Sequence, residues 1–154
     1  MLLIFVCFSG VPAHLRSGQG DWLTRVFAGF ARGYQSRWTN TLGQFTETRA
    51  TLSDGSNDDE RNRQIFEERV NMVLQCWKED SVRLDGKYYQ APFPLETGIV
   101  GYPAHKIARA AGGVGEVDAD DVLRRFSVVP APYQSPHPPI FVAVSRSEPS
   151  VRYC

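Results

Sequence analysis

An α/β fold with parallel strands is predicted by three observations. The runs Leu2 to Phe8, Val26 to Phe30 and Ile140 to Val144 are short and continuously apolar, as strands buried on both faces are. A long amphipathic helix stands between the second and third runs. The resulting order of strand, helix, excursion, strand and helix is that of an α/β chain.

Composition narrows the function classes. A chain of 154 residues with 42% hydrophobic and 22% charged side chains suits one compact domain. Its 13 glycines and 10 prolines call for several sharp turns. Lys plus Arg equals Asp plus Glu at 17 each, so no net field draws nucleic acid or an anionic membrane, and neither is expected as a partner. Cys7, Cys76 and Cys154 are far apart, without a C-x-x-C pair or a Cys–His cluster, so neither a disulfide scaffold nor a metal site is expected.

The first apolar run, starting at Met1, is far too short to cross a bilayer. Val11 and Ala13 are small enough for a signal-peptide cleavage site, but no Lys or Arg precedes the run. A buried strand or an atypical start, rather than an export signal, is the expectation, and with it a cytoplasmic protein. The second run, Val26 to Phe30, passes directly into Ala31-Arg32-Gly33-Tyr34, a turn carrying a cation and a glycine. From Tyr34 to Asn57 the chain is polar and without a clean period, which reads as a long loop.

From Asp58 to about Asp80 a helix is predicted, with Phe66, Val70, Val73, Leu74 and Trp77 at helical spacing on a core-facing side. Asn57 is placed to cap it, and Asp58, Asp59 and Glu60 put negative charge at the positive end of its dipole. Asp85-Gly86 then separates Val82-Arg83-Leu84 from Lys87-Tyr88-Tyr89, the pattern of a hairpin with a two-residue turn. From Ala91 to Asp121 prolines and glycines keep regular structure short, with one helix expected over Ala104 to Ala111 and ended by Gly112-Gly113. Arg125 to Val129 reads as extended, and the prolines from Pro130 to Pro139 as polyproline-like backbone. The third apolar run breaks at Ser145, and a helix is expected to begin at Glu148 with Pro149 in its first turn.

Two strand ends share one chemistry. Arg32 and Gly33 follow the second run, and Ser145, Arg146 and Ser147 follow the third, just before a helix start. Ligands of parallel α/β folds bind beyond the carboxyl ends of strands. Arg32 could clamp a phosphate there, Gly33 could admit the backbone closely, and Ser145 and Ser147 could donate hydroxyl and amide hydrogens. The competing reading is that Arg32 pairs with a surface carboxylate and the serines only cap a helix.

Other patterns fall to structural roles. The carboxylates from Asp54 to Asp59 lack the glycine at the sixth position that a calcium loop needs. Gly113-Val114-Gly115 has no third glycine and follows no strand, so it reads as a flexible turn. Adjacent Glu67 and Glu68 point apart on the helix and are expected to be solvated, while His14, His105 and His137 stand isolated.

Taken together, Val26 to Gln35, Asn62 to Trp77, Leu84 to Tyr89 and Pro136 to Ala143 resemble, in that order, the bacterial-luciferase-like family of flavin-dependent monooxygenases. The resemblance implies a (β/α)8 barrel that uses reduced FMN or the deazaflavin F420, with O2 and a small organic substrate. It makes Val26 to Phe30 the fourth barrel strand and Ile140 to Val144 the fifth. It also matches Arg32 to the family's flavin-phosphate arginine and the Ser145 to Ser147 turn to its second phosphate loop. Two departures stand out: Arg146 replaces a small residue, and no Gly-Arg pair separates Arg25 from Val26. Arg146 could add a phosphate contact or block one.

A complete barrel needs about 250 residues. The resemblance therefore implies an incomplete (β/α)8 TIM-barrel fragment: an atypical segment over 1–20, and a partial barrel domain over 21–154 with an insertion at 87–138. Such a piece is expected to be inactive alone, to lack assignable catalytic residues, and to self-associate or form a homo-oligomer through unpaired edges. The alternative from another class is a non-catalytic truncated barrel module that associates with a partner chain.

Overall fold

The computed structural model describes residues 3–8, 26–33, 35–51, 53–129, 131–132, 134–144 and 148–153, with 3–8 and 26 described by their backbone alone. It is a mixed α/β structure in which two strands pair in parallel. The chain divides into two compact units, residues 1–69 with 138–154 and residues 70–137.

The first unit is built on a three-stranded sheet. In chain order its elements are β1 (Leu3–Phe8), β2 (Val26–Ala31), α1 (Ser36–Leu42), the first turns of α2 (Asn57–Lys78), and further along the chain a third strand and a closing helix. β2 is central. β1 pairs with it antiparallel, from Leu3 opposite Ala31 to Phe8 opposite Val26. This corrects the reading of the first apolar run as a sign of parallel pairing: a continuous apolar run signals burial, and burial does not set strand direction.

In β2 the pleat sends alternate side chains to opposite faces. Ala28 and Phe30 are buried at 1% exposure each, whereas Phe27, Gly29 and Ala31 are half-buried. One face carries the packing.

The stretch expected to be a loop contains α1, followed by turns through Glu47. Its seven residues, SRWTNTL, include Ser, Asn and two Thr, poor helix formers that hide the period. Thr39 is its buried residue, and Trp38 and Leu42 are exposed. α2 starts one residue before the expected position and is capped by Ser56 rather than Asn57. The Ser56 Oγ accepts the Asp59 N–H at 3.2 Å, and the Ser56 carbonyl accepts the Glu60 N–H at 2.9 Å. Within α2, Ile65, Phe66 and Val70 are buried, while Val73, Leu74 and Trp77 are half-buried. Ile65 extends the core face beyond the expected set. Glu67 is held by Arg63 at 2.7 Å instead of being solvated.

The second unit begins inside α2 and continues through β3 (Leu84–Asp85), β4 (Gln90–Ala91) and α3 (His105–Ala111). β3 and β4 form the expected hairpin, with Leu84 opposite Ala91 and Asp85 opposite Gln90. Its turn lies two residues later than predicted, because Asp85 is still paired and the Gly86 N–H donates to the Tyr89 carbonyl at 2.9 Å. Lys87 and Tyr88 therefore form the bend. The extended reading of Arg125 to Val129 reduces to one bridge, Phe126 opposite Val82. Val82, Leu84, Leu95, Val122 and Leu123 supply the apolar core here.

Much of this unit is fastened by polar pins. Arg125 donates through Nε to Ser81 Oγ at 2.8 Å and through Nη2 to the Ser81 carbonyl, and Ser81 Oγ donates to the Val114 carbonyl. Glu116, only 9% exposed, accepts the Gly113 N–H at 2.9 Å and the Ser127 hydroxyl at 2.8 Å. The Trp77 and His137 rings stack with centroids 6.5 Å apart.

The chain rejoins the first unit in β5 (Ile140–Val142) and ends in α4 (Glu148–Tyr153). β5 runs parallel to β2, with Ala28 opposite Ile140, Gly29 opposite Phe141 and Phe30 opposite Val142. It is not buried on both faces: Phe141 is 60% exposed, its ring 6.0 Å from that of Phe27. The Tyr153 hydroxyl donates to the Glu67 carbonyl at 3.3 Å, tying α4 to α2.

Candidate functional site

The parallel pairing of β2 and β5 brings their carboxyl ends to one edge of the sheet. Continuity extends past the strands, since the Ala143 N–H donates to the Phe30 carbonyl at 3.0 Å. Arg32 and Gly33 leave this edge from β2. Ser145, Arg146 and Ser147 lie outside the described residues, so the approach of β5 is traced only as far as Val144. Gly33 has φ of 82°, a left-handed conformation that glycine adopts without steric cost, so the chain turns sharply as it leaves the strand.

Arg32 does not stand open at that edge. Its Nη1 donates to Asp59 Oδ1 at 3.0 Å and its Nη2 to Ser53 Oγ at 2.7 Å. The Asp59 carboxylate is itself held fast. Oδ1 also accepts the Thr51 hydroxyl at 3.0 Å, and Oδ2 accepts the Gly55 N–H at 3.3 Å. The Arg32 and Asp59 side chains are 19% and 11% exposed, so water and salt screen the pair far less than a surface ion pair. Asp54, just before the helix, has its carboxyl held below the ordinary range by hydrogen bonds from the Ser56 side chain and backbone.

The carboxylate that pairs with Arg32 is thus a buried helix residue, Asp59. Sequence reading missed it and its companions Thr51 and Ser53. Asp59 reads locally as one of three acids complementing a helix dipole, and nothing within 27 residues of chain links it to Arg32. The pattern Ser56-x-x-Asp59 was the available clue, since a serine and an acid at that spacing mark a structured helix start.

A guanidinium carries five N–H groups, and the two contacts of Arg32 use two of them. The charge of Arg32 is already balanced by Asp59, so an incoming anion would compete with that carboxylate for the guanidinium. Among the described residues no group of three or more His, Cys, Asp or Glu is placed to hold a metal, and no helix is long and apolar enough to cross a membrane. In the second unit, His105 Nδ1 meets the Tyr102 carbonyl at 2.9 Å and its Nε2 lies 3.9 Å from Asp121. No family model, curated protein or solved structure matches the chain.

Proposed function

We propose that this chain is part of a flavin-dependent oxidoreductase of the luciferase-like type, built on (β/α)8 barrel strands, in which the β2–β5 edge takes the phosphate of reduced FMN or of F420. The observation that carries the reading is the parallel register of the two strands, Ala28 with Ile140 through Phe30 with Val142. It sets Arg32 and Gly33, at the end of β2, beside the carboxyl end of β5, after which Ser145, Arg146 and Ser147 follow in sequence. When bound, the flavin supplies the redox chemistry, reacting with O2 to oxidise an organic substrate. Arg32 supplies charge-assisted hydrogen bonds to the phosphate, and the left-handed Gly33 lets the backbone come close. In this reading the antiparallel β1 is not a barrel strand.

The test compares FMN with riboflavin, which differ by the phosphate. Arg32→Ala should weaken FMN by about 1.5 to 3 kcal/mol and leave riboflavin unchanged. Equal loss for both ligands would show that Arg32 does not read the phosphate.

A second reading has its own observation. Arg32 is engaged by Asp59 and Ser53, and Phe141 on β5 is 60% exposed, which suits a non-catalytic module whose sheet face is covered by a partner chain. It requires that the chain bind no flavin and that its association depend on Phe141.

A further inference from the structure

Both terminal nitrogens of Arg32 face oxygen atoms supplied by the protein: the Asp59 carboxylate on Nη1 and the Ser53 hydroxyl on Nη2. Two oxygens, one on each nitrogen, are what two oxygens of a phosphate monoester would offer the same fork. The carboxylate is fixed by the Thr51 hydroxyl on the same oxygen, Oδ1, and by the Gly55 N–H on Oδ2, and its own backbone N–H is held by Ser56. It is therefore presented to the guanidinium as a preset acceptor. Because both charges are largely removed from water, the attraction between them is a substantial part of what an incoming anion must overcome.

We infer that Asp59, assisted by Ser53, is an internal stand-in for the phosphate: it holds Arg32 closed, and a phosphomonoester binds by replacing it on the guanidinium. This inference rests on the phosphate reading of Arg32. Ligand entry is then an exchange of one anion for another. A phosphate dianion carries more charge than the carboxylate and can take both Nη positions at once, whereas a carboxylic acid ligand offers no advantage over Asp59. The site would so discriminate phosphomonoesters from carboxylates and from neutral flavins.

Binding of FMN and of riboflavin to the full chain, measured by calorimetry for the unaltered protein, Asp59→Asn, Ser53→Ala and Arg32→Ala, tests this. Asp59→Asn removes the competing charge, so FMN should bind on the order of tenfold more tightly while riboflavin is unchanged. Ser53→Ala, which frees Nη2 without altering charge, should tighten FMN in the same direction by a smaller factor, and it carries the test if the Asp59 variant does not fold. Weaker FMN binding in both variants, with Arg32→Ala also selective for FMN, would show that Asp59 and Ser53 position Arg32 instead of competing for it; the inference would fall and the phosphate reading would stand. If no variant separates FMN from riboflavin, the phosphate reading itself fails.

Discussion

Arg32 Nη1 lies 3.0 Å from Asp59 Oδ1, joining the end of β2 to the first turn of α2 across 27 residues of chain. The contact closes a long polar segment against the sheet, and its partners are less than one-fifth exposed. Breaking it should cost stability whatever ligand the edge takes. Arg32→Ala leaves Asp59 without its cation and is expected to lower unfolding free energy by roughly 2 to 4 kcal/mol, toward the value for buried rather than surface pairs. Urea denaturation of the two single variants and the Arg32→Ala/Asp59→Ala double variant checks this, because coupled partners give a double loss well short of the summed single losses.

The sheet makes opposite demands on two phenylalanines. Phe30 is 1% exposed and Phe141 is 60% exposed. Phe30→Ala removes a filled core position and should cost about 3 to 5 kcal/mol. Phe141→Ala should cost much less, about 1 kcal/mol or below, since little of its surface leaves water on folding. Comparable losses at the two positions in thermal or urea melts would mean that Phe141 is covered in solution, which is what association through this face requires.

The elements that were legible in the sequence are those whose signal is local. α2 declares itself by apolar spacing and acidic first turn, and β2 and β5 by their apolar runs. α1 was hidden because its fixing contacts are tertiary: Thr39 is buried, and the Ala50 N–H is taken by Asn40 Oδ1 at 2.8 Å, ten residues away. The hairpin was legible in kind but not in register, since Asp85 prefers pairing with Gln90, whose side chain also donates to it at 3.0 Å, over serving as a turn residue. At the candidate site the cation and glycine could be read from the strand end. Asp59 could not, because an ion pair between distant segments leaves no periodic trace in either.

Acid should loosen one turn of the second unit selectively. Asp118 Oδ2 accepts from Arg124 Nε at 2.7 Å, and Oδ1 accepts the Val122 and Asp120 N–H groups at 3.0 and 2.9 Å. The Arg124 hydrogen bond, followed by those from the backbone, holds the carboxyl below its ordinary value. A carboxyl whose folded pKa is depressed contributes its stabilisation fully above the unfolded value, about 4, and loses it as pH falls through the lower folded value. The stability difference between the unaltered chain and Asp118→Asn should therefore be constant from pH 7 to about 5 and shrink below about 4. A difference that stays constant down to pH 2.5 would contradict the assignment.

Gly113 and Gly115 belong to one turn but answer to different physics. A Cβ on Gly113 would stand 2.1 Å from the Asp80 carbonyl oxygen, with the Asp80 carbonyl carbon and Ser81 Cβ at 2.7 and 2.8 Å. Backbone blocks it, and that backbone is pinned: the Val114 N–H donates to Asp80 Oδ2 at 2.7 Å, and Gly113 N–H to Glu116 Oε2 at 2.9 Å. Relief requires pulling the 112–116 turn off Asp80 and Ser81, so Gly113→Ala should cost about 3 kcal/mol, the upper end for overpacking. At Gly115, φ is 74° and the nearest atom to a Cβ is Arg125 Cδ at an ordinary 3.5 Å. Gly115→Ala meets only the left-handed backbone penalty, about 1 to 2 kcal/mol. Gly115→Asn should recover part of that loss, because asparagine tolerates the left-handed region, whereas Gly113→Asn should be at least as damaging as alanine. Urea midpoints of the four variants rank the two positions; equal costs at 113 and 115, or rescue by asparagine at 113, would place the obstruction somewhere other than the Asp80 carbonyl.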